Sequence, residues 1–406
     1  MYCNALTGLV SVLLAVSGGS TVTVTETEFL SRLDKDPAVV VRSSQLSIAR
    51  AELLEARTLE NPVFEYSRED PDGAVSQDDW LLSWQLPGPT RRLEIDAAGK
   101  SVEATAARVE HQLRMLRTSA RQDFAAWAVA AKRRDLLAAS VDRLDKLAAR
   151  EAVRAEKGES SGLGAHRLRL AADALESQLS LAAAEQQRAR AAVARWWPEL
   201  SPEAQPELPA LPTAATSEGP SEAEHPLISA NRAQAESAEL SRRASERLFG
   251  APALSIGWQQ QNSPAGEISG PVLGLAWTVP LFDRRRAERQ AAEARAQAAR
   301  AEVELATRHI RSRRAATQQR FEDLAREATE AKTRLEPSTG MLVAAETSFR
   351  YGELPLTDLL DILRSVSDAQ LAWLSLHAAA LEAHRELEAL TTPMNTASST
   401  PSTESH

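Results

Sequence analysis

A stretch of more than one hundred residues without proline constrains this chain more than any other feature. It runs from Arg91 to Trp197 and is rich in alanine, arginine and glutamate. The pattern predicts a helix over residues 91–156, a turn near Gly158 and a return helix over 165–196. Apolar residues recur at the +4 and +3 spacing of a coiled-coil seam, at Val109, Leu113 and Leu116 and again at Leu137, Val141 and Leu144. At about 1.5 Å per residue the first helix is roughly 100 Å long, which an ordinary globular domain does not accommodate.

A β-hairpin is predicted directly before this helical stretch. Residues 63–69 alternate and carry β-forming side chains, residues 70–78 have the composition of a turn, and residues 79–86 form a second strand. A shorter helix over 38–60 precedes the hairpin. It ends at Asn61-Pro62, because proline biases the preceding residue away from the helical region.

The same order of elements is predicted a second time. A helix over 227–248 is followed by strands over 253–261 and 271–279, with residues 262–270 as the loop between them. A long helix over 283–350 and a return helix over 355–390 complete the second unit. Pro337 interrupts the long helix and predicts a kink or break there.

Four landmarks show that the second unit is an internal duplication of the first. They keep their order at a nearly constant offset, which rises only from 189 to 194 residues. The pairs are Pro37 with Pro226, Pro62 with Pro252, Trp84-Gln85-Leu86-Pro87 with Trp277-Thr278-Val279-Pro280, and Gly158-Glu159 with Gly352-Glu353. We therefore assign a first repeat to residues 25–197 and a second repeat to 225–390.

Three segments lie outside the repeats. Residues 1–20 have the apolar run and small-residue end of a secretory signal peptide, the alternative being a buried N-terminal helix. Residues 198–224 are rich in proline, serine and glutamate, and are predicted to be a linker without a core of its own. Residues 391–406 are rich in serine and threonine and are predicted to be disordered.

The composition excludes several classes of function. A net charge of −9 leaves no basic surplus for binding nucleic acid. A single cysteine, Cys3, excludes a disulfide framework and a cysteine-based zinc site. His377 and His384 are seven residues apart, but two ligands do not make a zinc site, so no metal site is predicted. No phosphate-binding loop, nucleophile elbow or metalloprotease motif occurs, so we expect no catalytic residues, no cofactor and no enzymatic activity.

No stretch after the first twenty residues holds 18 or more apolar residues, so no transmembrane helix is predicted. Contact with a membrane would therefore have to be made by the strands. Four strands cannot close a barrel, and open sheet edges are not tolerated in lipid. Several chains that share their strands would remove those edges.

Two local motifs carry a resemblance to a known family. The first is Val279-Pro280-Leu281-Phe282-Asp283 followed by arginines, and the second runs from Tyr351-Gly352-Glu353 to Leu359-Leu360-Asp361. Together with the duplicated pattern over residues 30–390, they resemble the outer membrane factor family, the TolC-like efflux channels. Gln85-Leu86-Pro87 with Arg91-Arg92, and Phe282-Asp283-Arg284, resemble the heavy-metal efflux branch more than the drug branch.

The resemblance implies a mainly α fold with a small β part. Long helical hairpins would form a tunnel in the periplasm, and four strands per protomer would contribute to a twelve-stranded transmembrane β-barrel in a homotrimer. The protein would lie in bacterial outer-membrane lipid and act as the passive duct of a tripartite efflux pump. A periplasmic adaptor and an inner-membrane pump of the resistance-nodulation-division type would be its partners, and heavy-metal cations are one expected substrate class.

Three sets of residues are candidates for function. The turns at the ends of the long helices would dock the adaptor. The alternative is that each glycine only permits a tight turn. The turn residues are Lys157, Gly158, Glu159, Tyr351, Gly352, Glu353, Leu354 and Pro355. Asp358 and Asp361 could form an acidic ring in the lumen, the alternative being an exposed helix face. Trp80, Trp84, Trp258 and Trp277 are predicted to lie on strands and to form an interfacial aromatic girdle, the alternative being core packing.

Two other functions fit parts of the sequence. A structural coiled-coil protein would explain the helices but not the two matched hairpins. A periplasmic adaptor has one helical hairpin nested within β-domains, whereas here two hairpins follow one another with strands before each. Solubility without detergent as a monomer would favour either over a channel.

Overall fold

The computed structural model describes residues 22–70, 75–212, 225–264, 266–280 and 282–391. The predicted signal peptide therefore lies outside the described residues, as do 213–224 of the linker and 392–406 of the tail. None of the described helices is both long and apolar enough to cross a membrane.

After a short helix that the sequence did not predict, the first repeat has the predicted order of one helix, a hairpin and two long helices. After α1 (Glu26–Leu33) come α2 (Pro37–Arg57), β2 (Val63–Glu69), β3 (Ser76–Gln85), α3 (Arg91–Glu156) and α4 (Leu163–Ala194). The bounds of α3 agree with the predicted residues 91–156, because Pro87-Gly88-Pro89 precede the helix and Gly158 follows it. At 66 residues, α3 is about 100 Å long.

The second repeat has the same order with one interruption. It contains α5 (Pro226–Ser245), β5 (Ala253–Ser263), β6 (Gly266–Ala276), α6 (Arg286–Leu335), α7 (Ser338–Arg350) and α8 (Leu356–Thr391). The long helix ends at Leu335 and a new one begins at Ser338, with Pro337 as the N-cap residue of α7. The predicted break at Pro337 is therefore confirmed.

The predicted hairpin loops were too long. β3 begins at Ser76 instead of residue 79, and β6 covers Gly266–Ala276 instead of 271–279. Most of the expected loop 262–270 is therefore paired strand. The polar residues there have the composition of a loop, but the ladder is formed by backbone groups and accepts polar side chains on a solvated face.

Short elements that the sequence reading missed hold part of the expected linker in place. β1 (Thr23–Val24) pairs in parallel with β4 (Gln205–Pro206), and Leu200 and Ala204 are buried. Residues 198–212 thus contain one short strand and two buried side chains, and the assignment of 198–224 as a linker without a core of its own stays a prediction. The prolines after α4 prevent the helix from continuing, but the extended backbone at Gln205–Pro206 still pairs with β1.

The described chain divides into two compact units. Unit 1 comprises residues up to 32, 123–210 and 334–374, and unit 2 comprises 33–122, 211–333 and 375 onwards. Each unit takes segments from both sequence repeats, so the assignment of the repeats as domains stays a prediction.

Each unit has its own buried apolar residues. In unit 1, Phe29 of α1 stacks on Phe124 at 5.4 Å between ring centroids, and Trp127 packs on Phe124 edge-on. In unit 2, Ile228 packs with Ile310 of α6. Alanine fills many of the remaining buried positions, as a coiled-coil packing of close helices requires.

Candidate functional site: a two-faced sheet and a pair of helical turns

The four longer strands form one antiparallel sheet in unit 2, in the order β2-β3-β5-β6. Residues directly opposite each other in neighbouring strands share a face, so the register assigns every side chain to one of two faces. One face, called the apolar face here, carries Phe64, Tyr66, Trp80, Leu82, Trp84, Leu254, Ile256, Trp258, Leu273 and Leu275. Beyond Trp80 and Trp258 the same side of the sheet is polar, with Arg68, Asp78, Gln260, Asn262, Glu267 and Ser269.

The opposite face is mainly polar or small. It carries Glu65, Ser67, Gln77, Asp79, Ser83, Ser255, Gln259 and Gln261, with Gly257, Gly270 and Gly274. Val63, Leu81, Ile268 and Val272 are the apolar exceptions on this side. The sheet therefore alternates apolar and polar residues along each strand, the pattern of a wall between lipid and water.

The apolar face is exposed. Phe64, Leu273 and Leu275 have 67%, 75% and 69% of their surface accessible, values far above those of core residues. Exposed apolar patches of this size mark interaction surfaces in soluble proteins and lipid contact in membrane proteins. The rows from Trp84 to Trp80 span about 13 Å along the strands at about 3.3 Å per residue.

Both ends of the apolar rows carry aromatic side chains. Trp80 lies directly opposite Trp258 in the ladder, and its ring packs at a tilt against Tyr66 at 5.7 Å between centroids. Four residues along β3, Trp84 lies next to the end of the strand. At the positions of Trp258 and Trp277, 47% and 54% of the surface is exposed, which argues against packing in a protomer core.

Trp277 does not lie on a strand, and that part of the prediction is wrong. β6 ends at Ala276 because its partner β5 begins at Ala253, the residue opposite Ala276. The indole of Trp277 instead donates to the carbonyl of Gly250 at 3.2 Å. Whether the four tryptophans form a membrane girdle stays a prediction.

The two repeats anchor their hairpins in the same way. The indole of Trp84 donates to the carbonyl of Glu60 at 3.0 Å, as that of Trp277 does to Gly250. Glu60 and Gly250 both precede an X-Pro pair that leads into the first strand of a hairpin. Each tryptophan thus ties the end of the hairpin to its beginning.

The two helical turns are built from matching hydrogen bonds. Gly158 and Gly352 have φ values of 73° and 79°, in the left-handed region that favours glycine. Glu159 N donates to the carbonyl of Arg154 at 2.9 Å, and Glu353 N donates to that of Ser348 at 2.9 Å. Both turns are therefore helix ends of the Schellman type.

An apolar cluster in unit 1 supports both turns. Leu144 and Leu147 of α3 pack with Leu168 of α4 and with Ala345 and Leu359 from the second repeat. Gly164 lies so close to this cluster that an added Cβ would sit 3.5 Å from Leu356. The structure thus brings the two predicted turn regions, 157–159 and 351–355, onto a common core. Their role in docking stays a prediction.

Asp358 and Asp361 are exposed in the first turns of α8. Neither forms an ion pair with a described residue, although Thr357 Oγ1 donates to Asp358 at 3.1 Å. Asp361 also borders a mainly apolar cavity of about 530 Å³ within unit 1. In the described chain both carboxylates lie on an exposed helix face, as the alternative expects. The acidic ring in a lumen stays a prediction.

A contact in unit 2 between a buried histidine and a half-buried one was not predicted from the sequence. The rings of His111 and His225 meet edge-on at 5.6 Å between centroids. His225 Nδ1 accepts from Leu227 N at 3.2 Å and so caps α5. Burial, with the nearby His111 and Arg114, lowers the pKa of His225 to about 4, and burial also lowers the pKa of His111.

The equivalent cap in the first repeat is an ordinary one. Asp36 Oδ1 accepts from Ala38 N at 2.7 Å at the start of α2. Both caps are followed by proline at the first helical position. Aspartate is a common N-cap and histidine is not, so the second cap carried no sequence signal.

His377 and His384 do not lie together as ligands. His377 is buried, whereas His384 packs on the ring of Phe321 at 5.1 Å and its Nδ1 lies 3.6 Å from Glu388. Within the part of the chain that the structure describes, no group of three metal-binding side chains could hold an ion.

Comparison with known proteins identifies this architecture. No family model matches the chain. It is 26% identical over 347 residues to the cobalt-zinc-cadmium resistance protein CzcC of Cupriavidus metallidurans, covering 82% of this chain and 81% of CzcC. The solved structure of CusC, described for its transmembrane channel formation, matches with a TM-score of 0.72 at 15% identity, covering 91% and 92% of the two chains.

Other channels match equally well. The outer membrane protein VceC of Vibrio cholerae has a TM-score of 0.73 at 17% identity, covering 90% of this chain and 95% of VceC. The MtrE outer membrane channel of Neisseria gonorrhoeae has a TM-score of 0.70 at 17% identity, over 90% and 88%. The chain therefore has the fold of these outer membrane channels.

The outer membrane factor fold predicted from the duplication is thus confirmed. The sequence predicts the hairpins, the turns and the break, but it uses the arginines beside the hairpins only as a mark of a family branch. Near these arginines, in the last turn of α5, Arg242 donates to Glu239 and, with Arg243 and Arg300 nearby, holds the pKa of that carboxyl at about 2. A count of arginines in the segments that join the strands to the helices shows from the sequence that these segments are basic.

Proposed function

We propose that this protein is the outer-membrane channel of a tripartite efflux system, a passive trimeric duct without a catalytic step. The observation that carries the proposal is the sheet with one exposed apolar face, one polar face and two unpaired edges. In water such a face would cost free energy on the order of 25 cal/mol per Å² of exposed apolar surface. In lipid it is the expected outer wall of a barrel.

The unpaired edges require copies of the same chain. β2 and β6 are the outer strands of the four-stranded sheet, and each leaves one row of backbone groups without a partner in it. Unsatisfied backbone groups cost several kcal/mol each in hydrocarbon. Three copies joined β6 to β2 would give a closed barrel of twelve strands and satisfy both rows.

The exported substrate is proposed from the relatives. CzcC is named a cobalt-zinc-cadmium resistance protein, and it is similar to this chain over most of both lengths. We therefore assign divalent metal cations as the substrate class. A channel needs no tight metal site, because tight binding would slow passage. The exposed carboxylates Asp358 and Asp361 are the candidates for attracting cations.

A substitution on the apolar face tests the membrane assignment. Leu273 is 75% exposed, so Leu273→Arg would change the stability of a water-soluble protein by no more than about 0.5 kcal/mol. On a lipid-facing surface near the bilayer midplane the same arginine costs about 2–4 kcal/mol. We expect Leu273→Arg to reduce the amount of folded, heat-modifiable trimer recovered from outer membranes.

Two control variants match this substitution on the same strand. Ile268→Arg lies on the polar face with 72% exposure, and Val272→Arg lies on the polar face beside Leu273. Both should leave trimer recovery close to wild type, because their arginines would face water. Equal recovery of all three variants, or a monomer that stays soluble without detergent, would rule out the channel.

The two turns are proposed to dock the periplasmic adaptor, which in turn would connect the channel to an inner-membrane pump of the resistance-nodulation-division type. Tyr351 is 75% exposed on the second turn, and large exposed aromatic residues are common anchors of interfaces. Tyr351→Ser should reduce cross-linking to the adaptor and metal resistance, with trimers intact. Leu181→Ser, at a 74% exposed position of α4, is the matched control and should change neither.

A further inference from the structure

The segments that join the strands to the helices are unusually basic. Residues 57–62, 86–92, 246–252 and 277–289 together contain eight arginines and four carboxylates, whereas the whole chain has a net charge of −9. All four segments belong to unit 2 and adjoin the ends of the strands. A local surplus of positive charge in an acidic protein indicates a specific role for that region.

Some of these arginines hold the structure together. Arg91 donates to the carbonyls of Arg57 and Thr58 and so closes the end of α2. Arg285 forms an ion pair with Glu288 at 2.7 Å and donates to the carbonyl of Arg247 at 3.4 Å. Their guanidinium groups are therefore committed to partners within the protomer.

Five further arginines are exposed and form no ion pair with a described residue. We call this set the arginine collar; it comprises Arg57, Arg92, Arg247, Arg284 and Arg286. Elsewhere in the described chain some exposed arginines pair with carboxylates, for example Arg308 with Glu304 at 2.8 Å, and others do not. The collar is distinguished by the concentration of five unpaired arginines in four short segments beside the strand ends. The collar lacks such partners, so its charges are available to an external anion.

Apolar side chains lie among the collar arginines. Phe249 packs on Trp277 at 5.2 Å between ring centroids, and Val279 is 60% exposed. Phe282, two residues before Arg284, is 99% exposed. These exposed apolar residues lie just beyond the strand ends that border the apolar face. In a barrel they would lengthen its apolar rows of about 13 Å towards the height of about 25 Å that is usual for the lipid-facing band.

A groove of about 520 Å³ opens between the end of α5 and the start of α6. Arg286, Arg289, Gln290 and Ser245 are among its lining residues. Glu246 and Glu293 line it as well, but both form ion pairs with Arg242, at 2.5 Å and 3.6 Å. The Nε of Arg289 is buried and has no hydrogen-bond partner in the described structure. A buried donor of this kind needs an acceptor oxygen, and the groove has room for one to enter.

The ligand must supply both an anion and apolar chains. A free anion would satisfy the arginines but leave Phe282 and Val279 in water. A nucleic acid is excluded by the overall negative charge. Only an amphiphile places acyl chains against the apolar residues and a negative head group against the guanidinium groups, as basic residues beside membranes do with anionic lipid.

We propose that the arginine collar binds the phosphate groups of anionic phospholipids in the leaflet that faces the helices, with one head group seated in the groove at Arg286 and Arg289. The proposal rests on the membrane location proposed above. It names the lipid class that would fix the depth of the channel in the bilayer.

The test compares lipids on the full-length protein purified in detergent. Native mass spectrometry would measure the binding of phosphatidylglycerol and of phosphatidylcholine with the same acyl chains. Each arginine near an anionic lipid contributes about 1 kcal/mol, or about fivefold in affinity. We expect the triple variant Arg247→Gln, Arg284→Gln, Arg286→Gln to lose up to about a hundredfold in phosphatidylglycerol affinity, with binding of phosphatidylcholine nearly unchanged.

A matched triple variant controls for the loss of charge. Arg150, Arg167 and Arg188 are also exposed and form no ion pair with a described residue, and all lie in unit 1. Their replacement by glutamine should leave the preference for phosphatidylglycerol intact. Loss of the preference in this control, or its retention in the collar variant, would overturn the proposal. So would displacement of phosphatidylglycerol by excess inorganic phosphate, which would identify a site for a free anion.

Insertion into vesicles separates this proposal from the proposed channel. If the wild-type protein inserts as a trimer into vesicles of phosphatidylcholine alone but shows no preference for phosphatidylglycerol, the collar proposal fails and the channel stands. If it inserts into no vesicle of either composition, the channel itself fails.

Discussion

The histidine that caps α5 should make that helix sensitive to acid. His225 Nδ1 can accept the hydrogen bond from Leu227 N only while the imidazole is neutral. In the unfolded chain the group has a pKa of 6.5, whereas in the fold burial and the nearby His111 and Arg114 lower its pKa to about 4. Between these values the unfolded state binds more protons than the native state, so acidification favours opening.

The size of the effect follows from the two pKa values. The full difference is worth about 3 kcal/mol once the pH is below the pKa in the folded state. Between about pH 7 and about pH 5, the change is about 2 kcal/mol, equivalent to roughly twentyfold in an opening equilibrium. The contribution of His225 to stability is thus fully present above the unfolded-state pKa and is lost as the pH falls towards 4. Besides His225, the facing groups are His111, whose own lowered pKa acts in the same direction, and Arg114.

Hydrogen–deuterium exchange can measure this locally. After correction for intrinsic rates, amides in the first turns of α5 should lose roughly twentyfold in protection between about pH 7 and about pH 5. His225→Asn should keep the cap, because asparagine is a good N-cap residue, and should remove most of the pH dependence. The start of α2, capped by Asp36, carries no imidazole and serves as the internal control.

Two results would refute this reasoning. One is a His225→Asn variant whose α5 amides lose protection in acid as strongly as those of the wild type. The other is protection that increases on acidification, which would mean that the protonated imidazole is the better partner for its surroundings.

Two further predictions concern glycines. At Gly257 an added Cβ would lie 2.3 Å from the carbonyl oxygen of Trp80, so Gly257→Ala should force β3 and β5 apart, cost about 2 kcal/mol and lower the dissociation temperature of detergent-resistant trimers. Gly270→Ala is the control and should leave that temperature unchanged, because an added Cβ there has nothing within 4 Å. Equal effects of the two substitutions would contradict the clash. Gly352→Ala should lower the thermal midpoint of helix unfolding, because a residue with a side chain at φ 79° costs about 1 kcal/mol. Gly340→Ala, on an exposed position of α7, should raise that midpoint by a similar free energy, and the same sign for both would count against the strain at Gly352.

The long helices were predictable because their signals are local. The breakers Pro89 and Gly158 fixed the ends of α3, and Pro337 fixed the division between α6 and α7. The start of β6 at Gly266 was missed because polar side chains on a solvated face resemble those of a loop. Here pairing with β5 outweighed local composition.

The functional residues also divide into those with a local sequence signal and those that depend on tertiary contacts. Gly158 and Gly352 were found as turns because positive φ favours glycine, a preference that can be read from sequence. The contact of His111 with His225 joins residues more than one hundred positions apart, which no local pattern reports. The same holds for the free guanidinium groups of the collar, since only the structure shows which arginines lack a carboxylate.

The unpaired edges of the sheet also bear on the inheritance of mutations in this protein. If three copies must join β6 to β2 to close one barrel, then a variant with an intact sheet and a defective turn still assembles with normal chains. In a cell that makes both in equal amounts, only about one trimer in eight would contain three normal copies, as follows from random mixing in a cyclic trimer. A damaged turn should therefore suppress resistance in the presence of a wild-type copy, whereas a variant that cannot pair its strand edges should be recessive.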